Sequence, residues 1–180
     1  MKFVLKKEIK NGDAGCCSIQ PKWKERCPIC KNEAKGVLSK TLNALLKDEA
    51  KQRVDALEGF SLCKTSKCTV VYFRGSEILT QEDVNVSIGF KDSAKVKNYC
   101  YCFGWTKDRI AEDIKINGKS GAIEDIQSKM KTIGCACEVK NPSGKCCQAD
   151  VKELIDKINM HITETIKSNR TTPREAHTKS

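Results

Sequence analysis

The sequence predicts an α+β protein, in which a small α/β lobe over residues 23–95 precedes an all-helical lobe over residues 96–166 with a helix-turn-helix arrangement. Three observations lead there. The segment "FSLCKTSKCTVVYFRGSEILT", Phe60 to Thr80, places β-branched and aromatic residues on both sides of Gly75 and Ser76, the composition of a hairpin. After residue 106 the apolar residues recur at helical spacing instead. Only 6% of the 180 residues are aromatic while twelve are cysteine, so small stapled lobes are expected in place of one large core.

Residues 1–22 are basic and polar, contain Gly12, Gly15 and Pro21, and show no sustained period; a flexible arm is expected there. "CPIC" at Cys27 to Cys30 is followed by Val37 and Leu38. Then comes "KTLNALLKDEAKQRVDAL", whose Leu42, Leu45, Leu46 and Ala50 mark the face of a short helix ended by Gly59. Beyond the hairpin, "VNVSIGF" alternates Val84, Val86 and Ile88 and predicts a third strand. Thr106 caps a helix over 107–117 carrying Ile110 and Ile114, with Asn117-Gly118 as its stop. Ser120 caps a second helix, striped by Ile123, Ile126, Met130 and Ile133 and ended by Gly134. Val151, Leu154, Ile155, Ile158, Ile162 and Ile166 mark a third amphipathic helix, and residues 167–180 read as a disordered tail.

No segment approaches the roughly 18 to 20 apolar residues of a bilayer span, and the N-terminal stretch has no apolar run of signal-peptide length. The expectation is a soluble, cytoplasmic protein. In a reducing compartment closely spaced cysteines serve metals or redox chemistry more often than structural bridges. The formal charge of +10, from 33 Lys and Arg against 23 Asp and Glu, would suit an anionic partner. Low aromatic content and the lack of a patterned basic helix argue against nucleic acid.

The first cysteine set is Cys27-x2-Cys30 with Cys63-x4-Cys68. A Cys-x-x-Cys turn, stiffened here by Pro28, lets two thiolates reach one ion while its backbone N–H groups bond the sulfurs; a second close pair completes a tetrahedron. Four thiolates with no open position describe a structural zinc site.

In the second set Cys100-x-Cys102 is followed, two helices later, by Cys135, Cys137, Cys146 and Cys147. Six cysteines contend for a four-ligand site, and the two helices must fold back as a hairpin to bring the loops together. If "YCYC" is extended, Cys100 and Cys102 face one way while Tyr99 and Tyr101 face the other. The turn "NPSG", Asn141 to Gly144, brings Cys137 towards Cys147. Cys102 and Cys147 each lie just before a helix, whose free N–H groups suit an anionic centre.

These segments resemble a known family. "VKNYCYCFGWTKDRI", followed by a helical hairpin and a second cysteine pair, is similar to the [2Fe-2S] fold of the bacterioferritin-associated ferredoxins. Together, "RCPIC", "FSLCKTSKCTVVYF", "YCYCFGWT" and "NPSGKCC" more closely resemble the N-terminal domain of CopZ-type copper chaperones, over about residues 25 to 155. The resemblance implies Zn2+ on Cys27, Cys30, Cys63 and Cys68, and a [2Fe-2S] cluster on Cys100, Cys102, Cys137 and Cys147, with Cys135 the alternative to Cys137. Cys137 is preferred because it keeps its spacing to the "NPSGKCC" turn. The two centres, at about −2 each, would lower the effective charge to roughly +6. The resemblance further implies copper handling with reduction of Cu(II) to Cu(I). Its implied partners are a copper-carrying heavy-metal-associated domain or a metal-transporting ATPase, and an electron donor protein. The Met-x-Cys-x-x-Cys copper loop of those chaperones has no counterpart after residue 150.

Cys16 and Cys17, with the spare Cys135 and Cys146, are candidate thiols for a soft ion such as Cu+. His161 and His177, the two histidines, are given no ligand role. No phosphate loop, His-Glu-x-x-His helix or Cys/His pairing is present, so no enzyme is expected beyond a weak metal-ion reductase activity. The alternative is a ferredoxin-like electron-transfer partner of an iron-storage or redox protein, without a copper role.

Overall fold

The computed structural model describes residues 21 and 23–170. Strands β1 (Lys24–Arg26), β2 (Glu33–Gly36), β3 (Ser61–Leu62), β4 (Val70–Arg74) and β5 (Glu77–Thr80) form an antiparallel sheet in chain order. Helices α1 (Ser39–Leu45) and α2 (Asp48–Gln52) lie between β2 and β3. A two-stranded ribbon of β6 (Asn98–Cys100) and β7 (Trp105–Thr106) then leads into helices α3 (Lys107–Asn117), α4 (Ala122–Ile133), α5 (Cys137–Lys140) and α6 (Gln148–Arg170).

Strand β4 serves two interiors at once. Its pairing with β5 skips Val71, and that bulge breaks the strict alternation of faces. Val70 and Phe73 pack with Cys27, Cys63 and Cys68, whereas Val71 and Tyr72 pack with Leu42, Leu46, Phe60 and Ile88. A third cluster joins Cys100, Trp105 and Cys147 to Ile110, Ile114, Ile126, Val151 and Leu154 of α3, α4 and α6.

The hairpin around Gly75 and Ser76 forms as expected, with Gly75 at a positive φ of 57°. Helix α3 runs over the predicted 107–117, its first turn held by the Thr106 hydroxyl accepting from Arg109 N–H at 3.1 Å. Ser120 accepts from Ala122 N–H at 3.2 Å at the start of α4, and Gly134 follows its last residue. Strands β1 and β2, short and without apolar alternation, and the four-residue α5 are additions to the predicted elements.

Three expectations are corrected. The helix expected across Leu42 to Ala50 is broken at Leu46, which turns extended and bridges to Val84; Asn85 N–H bonds the Leu45 carbonyl at 2.8 Å. A tertiary partner there outcompetes continuation of the helix. "VNVSIGF" is no strand. The Gln81 side chain donates to Val86 O and accepts from Ile88 N–H, both at 2.8 Å, supplying the bonds a neighbouring strand would have made. Helix α6 continues to Arg170, four residues into the tail expected to be disordered. Residues 1–20 of the expected arm, with Cys16 and Cys17, and residues 171–180, with His177, lie outside the described residues.

Sheet and helices are tied side to side. Thr41 Oγ1 donates to Glu138 O at 2.6 Å, the buried Tyr72 hydroxyl to Pro142 O at 2.7 Å, and Lys64 pairs with Asp150 at 2.9 Å.

Candidate metal centres

Cys27 follows β1 and Cys30 lies in the turn before β2. Cys27 N–H donates to Asn32 O at 3.0 Å, Lys31 N–H to Cys27 O at 2.9 Å, and Lys31 takes a left-handed φ of 62°. That tight knuckle aims both sulfurs at one point. Cys63 follows β3, its N–H donating to Val71 O at 2.9 Å, and Cys68 closes a turn through Thr65 O at 3.2 Å. The four sulfurs all lie within 4.8 Å of one another; among the described residues this is the one group of three or more such ligands that does so. Cys27 Sγ is 3.9 Å from Cys68 Sγ, and Cys30 Sγ is 3.6 Å from Cys63 Sγ. A tetrahedron with Zn–S of about 2.3 Å has edges of about 3.8 Å, so the donor set fits zinc in number, chemistry and size.

The thiols are also unequal. Burial pushes Cys27 up to about 12 and raises Cys68. Burial also opposes ionisation of Cys30, but the Thr65 hydroxyl, the Asn32 N–H and the Cys63 thiol outweigh it and lower Cys30 to about 6. Crowded thiols divide few negative charges among themselves, and a bound cation replaces their protons. Residues that sequence reasoning missed support this centre. Thr65 Oγ1 lies 3.3 Å from Cys30 Sγ and accepts from Asn32 Nδ2 at 2.9 Å, while buried Lys91 donates to Thr65 O at 2.9 Å. Only the position of Thr65 inside Cys63-x4-Cys68 could have signalled it.

The second set assembles around turns. Cys100 ends β6, and Gly104, at φ 69°, returns its N–H to Cys100 O at 2.9 Å. Cys102 therefore lies in a turn, and the expected extended "YCYC" with its alternating faces is corrected: a four-residue reversal replaces the strand after Cys100. Cys137 opens α5, and Cys147 precedes α6, where Val151 N–H bonds its carbonyl at 2.9 Å. The predicted turn forms between them, with Gly144 N–H on Asn141 O at 2.8 Å. Cys102 Sγ and Cys137 Sγ are 3.7 Å apart.

Cys147 lies between Cys100 and Cys137, whose thiols together with burial raise it strongly. Its hydrogen bonds lower Cys100 to about 7 and Cys137 to about 6 against the opposing effect of burial, whereas burial carries Cys102 up to about 12. Backbone N–H groups of Cys102 and Phe103 point at Cys100, that of Ala136 at Cys102, and that of Cys147 at Cys137. Cys135 is half-buried and lies close to Cys137; Cys146 is half-buried, and His161 is exposed on α6. Arg109, absent from the predicted site, braces the turn. It stacks 3.8 Å from the Trp105 ring centre and donates to the carbonyls of Phe103 and Gly104 at 3.4 and 3.3 Å.

Fold and first site together define a metal-binding protein with a closed four-cysteine centre built on a small antiparallel sheet. The family described as "Zinc binding domain", that of the CopZ proteins, matches residues 24–85. The chain is also similar to the crystal structure of the Archaeoglobus fulgidus CopZ N-terminal domain, with 30% identity, a TM-score of 0.61, and coverage of 72% of this chain and 97% of that one. It is 32% identical over 129 residues to the copper chaperone CopZ of the same organism, spanning 72% of this chain and 61% of the relative's length. The chain belongs to the family of the CopZ N-terminal domain. Among the described residues no helix is long and apolar enough to cross a membrane.

Proposed function

We propose that the protein handles copper in the manner of a CopZ-type chaperone, with zinc on the first cysteine set and a [2Fe-2S] cluster on Cys100, Cys102, Cys137 and Cys147. The single observation that carries the reading is the similarity to the copper chaperone CopZ, 32% identity over 129 residues. The second set's spread supports a cluster over a single ion. Cys102 Sγ and Cys137 Sγ are 3.7 Å apart and Cys147 lies by Cys100 and Cys137, but the four sulfurs are not all within 4.8 Å of one another as those of the first set are. A more widely spaced donor set suits two metals better than one.

When bound, a [2Fe-2S] cluster supplies single-electron exchange, the chemistry needed to turn Cu(II) into Cu(I) ahead of thiolate capture. The chain's own contribution is a set of backbone N–H donors aimed at the sulfurs of Cys100, Cys102 and Cys137, which favour added negative charge. Cys135 and Cys146, with Cys16 and Cys17, are the thiols proposed to capture Cu(I). A copper-carrying heavy-metal-associated domain or metal-transporting ATPase would receive it, and an electron donor protein would supply the electron. The role is that of a carrier in the cytoplasm, not of an enzyme.

Metal analysis and a visible spectrum of anaerobically purified protein test this: about one zinc, two irons and two labile sulfides per chain are expected. A colourless protein holding zinc alone would remove the cluster. Titration of the reduced protein with Cu(II) should then change the cluster spectrum and leave Cu(I) bound to thiols. A cluster that cycles without retaining copper would favour the ferredoxin-like alternative instead.

A further inference from the structure

Lys91 is 1% exposed, one of the most deeply buried large side chains among the described residues. Its Nζ donates to Thr65 O at 2.9 Å and lies 5.6 Å from the centre of the Phe90 ring. Among the described residues no carboxylate comes within ion-pair distance of it. A buried ammonium with a carbonyl and a ring as its partners is costly unless a negative charge is close by.

The position of Lys91 names that charge. The carbonyl it bonds belongs to the Cys63–Cys68 loop, and the hydroxyl of the same Thr65 lies 3.3 Å from Cys30 Sγ. Asp92 N–H, next along the chain, donates to Ser66 O at 2.9 Å, so residues 91 and 92 are strapped to the cysteine loop at two points. Four thiolates around one Zn2+ carry a net charge of about −2, felt strongly at short range in a poorly polarisable interior.

We infer that Lys91 is the counter-charge of the zinc–thiolate centre, a positioning residue that holds the Thr65 loop and favours the metal-bound state, with its net charge of about −2, over the metal-free one. The inference rests on the zinc reading of the first cysteine set and concerns how tightly the metal is kept. It predicts an asymmetry. With zinc bound, the ammonium and a centre of net charge about −2 stabilise each other; without zinc, the thiols carry less negative charge and the buried ammonium is less well compensated.

The test compares full-length wild-type, K91M and K91Q proteins, the last keeping a donor for Thr65 O without the charge. Zinc affinity is read by competition with a chelator, and melting is followed with and without Zn2+. Both variants should bind zinc at least about ten-fold more weakly, the scale of an outer-shell partner of a metal site, while their zinc-free forms melt no lower than zinc-free wild type. A purely structural role would lower melting with and without zinc alike and leave affinity unchanged, and that result overturns the inference. Should K91M not fold, wild-type affinity in K91Q overturns it equally. A wild-type protein that binds no zinc would instead bring down the zinc reading, and this inference with it.

Discussion

The Tyr72 hydroxyl, on a fully buried side chain of β4, donates at 2.7 Å to the Pro142 carbonyl in the loop that carries Cys137 and Cys147. The sheet that holds the first cysteine set is thereby bonded to the backbone of the second. Burial raises the phenol far above its ordinary pKa, so it stays a donor at every working pH. Replacing Tyr72 by Phe leaves Pro142 O without this partner and should cost about 1 to 2 kcal/mol in urea unfolding. Cys137 and Cys147 should also react faster with an alkylating agent in metal-free Y72F than in metal-free wild type. Unchanged stability and reactivity would show that the bond does not hold the loop.

Cys27, Cys63 and Cys68 are at once proposed zinc ligands and core, packed with Ala34, Val70 and Phe73. Replacing Cys68 by Ser should therefore remove zinc and destabilise the sheet together. Zinc per chain should fall well below one, and unfolding free energy by at least about 3 kcal/mol, because the metal's binding energy is part of the folding energy. Retention of full zinc content in C68S would exclude Cys68 as a ligand.

How much of this was legible follows from where each signal is local. Thr106, Gly75 and Gly118 act through their own backbone or a neighbour's N–H, so α3, its stop and the hairpin could be read from a few residues. The pairing of Cys27-x2-Cys30 with Cys63-x4-Cys68 was legible because zinc chemistry restricts spacing. Leu46 and Gln81 were not, since what breaks the first helix and replaces a strand is a partner at Val84 or a side chain reaching Val86 and Ile88. Lys91 left no trace in the pattern at all: a lysine reads as surface until Thr65 is found opposite it.

Gly89 meets the β6 backbone so closely that a Cβ there would lie 1.9 Å from Asn98 O and 2.6 Å from Asn98 N. Backbone cannot swing aside as a side chain can, so Gly89→Ala must push β6, and Cys100 with it, away from the 87–89 segment. Its N–H also donates to the Tyr101 hydroxyl at 3.0 Å, which in turn donates to Ser87 O at 2.9 Å. Calorimetry should show G89A melting about 10 °C lower, from a loss of about 3 kcal/mol or more. Tyr101→Phe, which removes hydrogen bonds without a clash, should cost about a third of that. Equal losses in the two variants would contradict the steric account.

The carboxylate of Asp113 joins the end of α3 to the start of α4. It accepts from Gly121 N–H at 2.7 Å, Asn117 Nδ2 at 2.8 Å and Ser120 Oγ at 3.2 Å. Led by Gly121 and Asn117, these bonds hold its pKa below the ordinary carboxylate value. A lowered folded pKa means that the stabilisation is complete above the unfolded value of about 3.9 and is lost as pH falls through the folded one. Asp113→Ala should thus melt about 3 °C below wild type at neutral pH, the equivalent of about 1 kcal/mol. The gap should begin to narrow below about pH 4 and close as pH falls through the lowered folded pKa. Comparing the two proteins at each pH cancels acid loss of metal, and a gap that persists in acid would assign the effect to packing.

Cys135 and Cys137 contend for one place in the proposed cluster, and their surroundings differ. Cys137 is 2% exposed, lies 3.7 Å from Cys102 Sγ, and receives the Cys147 N–H. Cys135 is half-buried and lies beside Cys137. Cys137, buried, close to Cys102 and already bonded by a protein N–H, is the better placed of the two to hold a cluster. Under anaerobic purification, Cys137→Ala should lose the visible charge-transfer bands and iron, and Cys135→Ala should keep both. The opposite pattern would move the third ligand to Cys135, and loss of colour in both variants would mean that the two thiols serve the centre together.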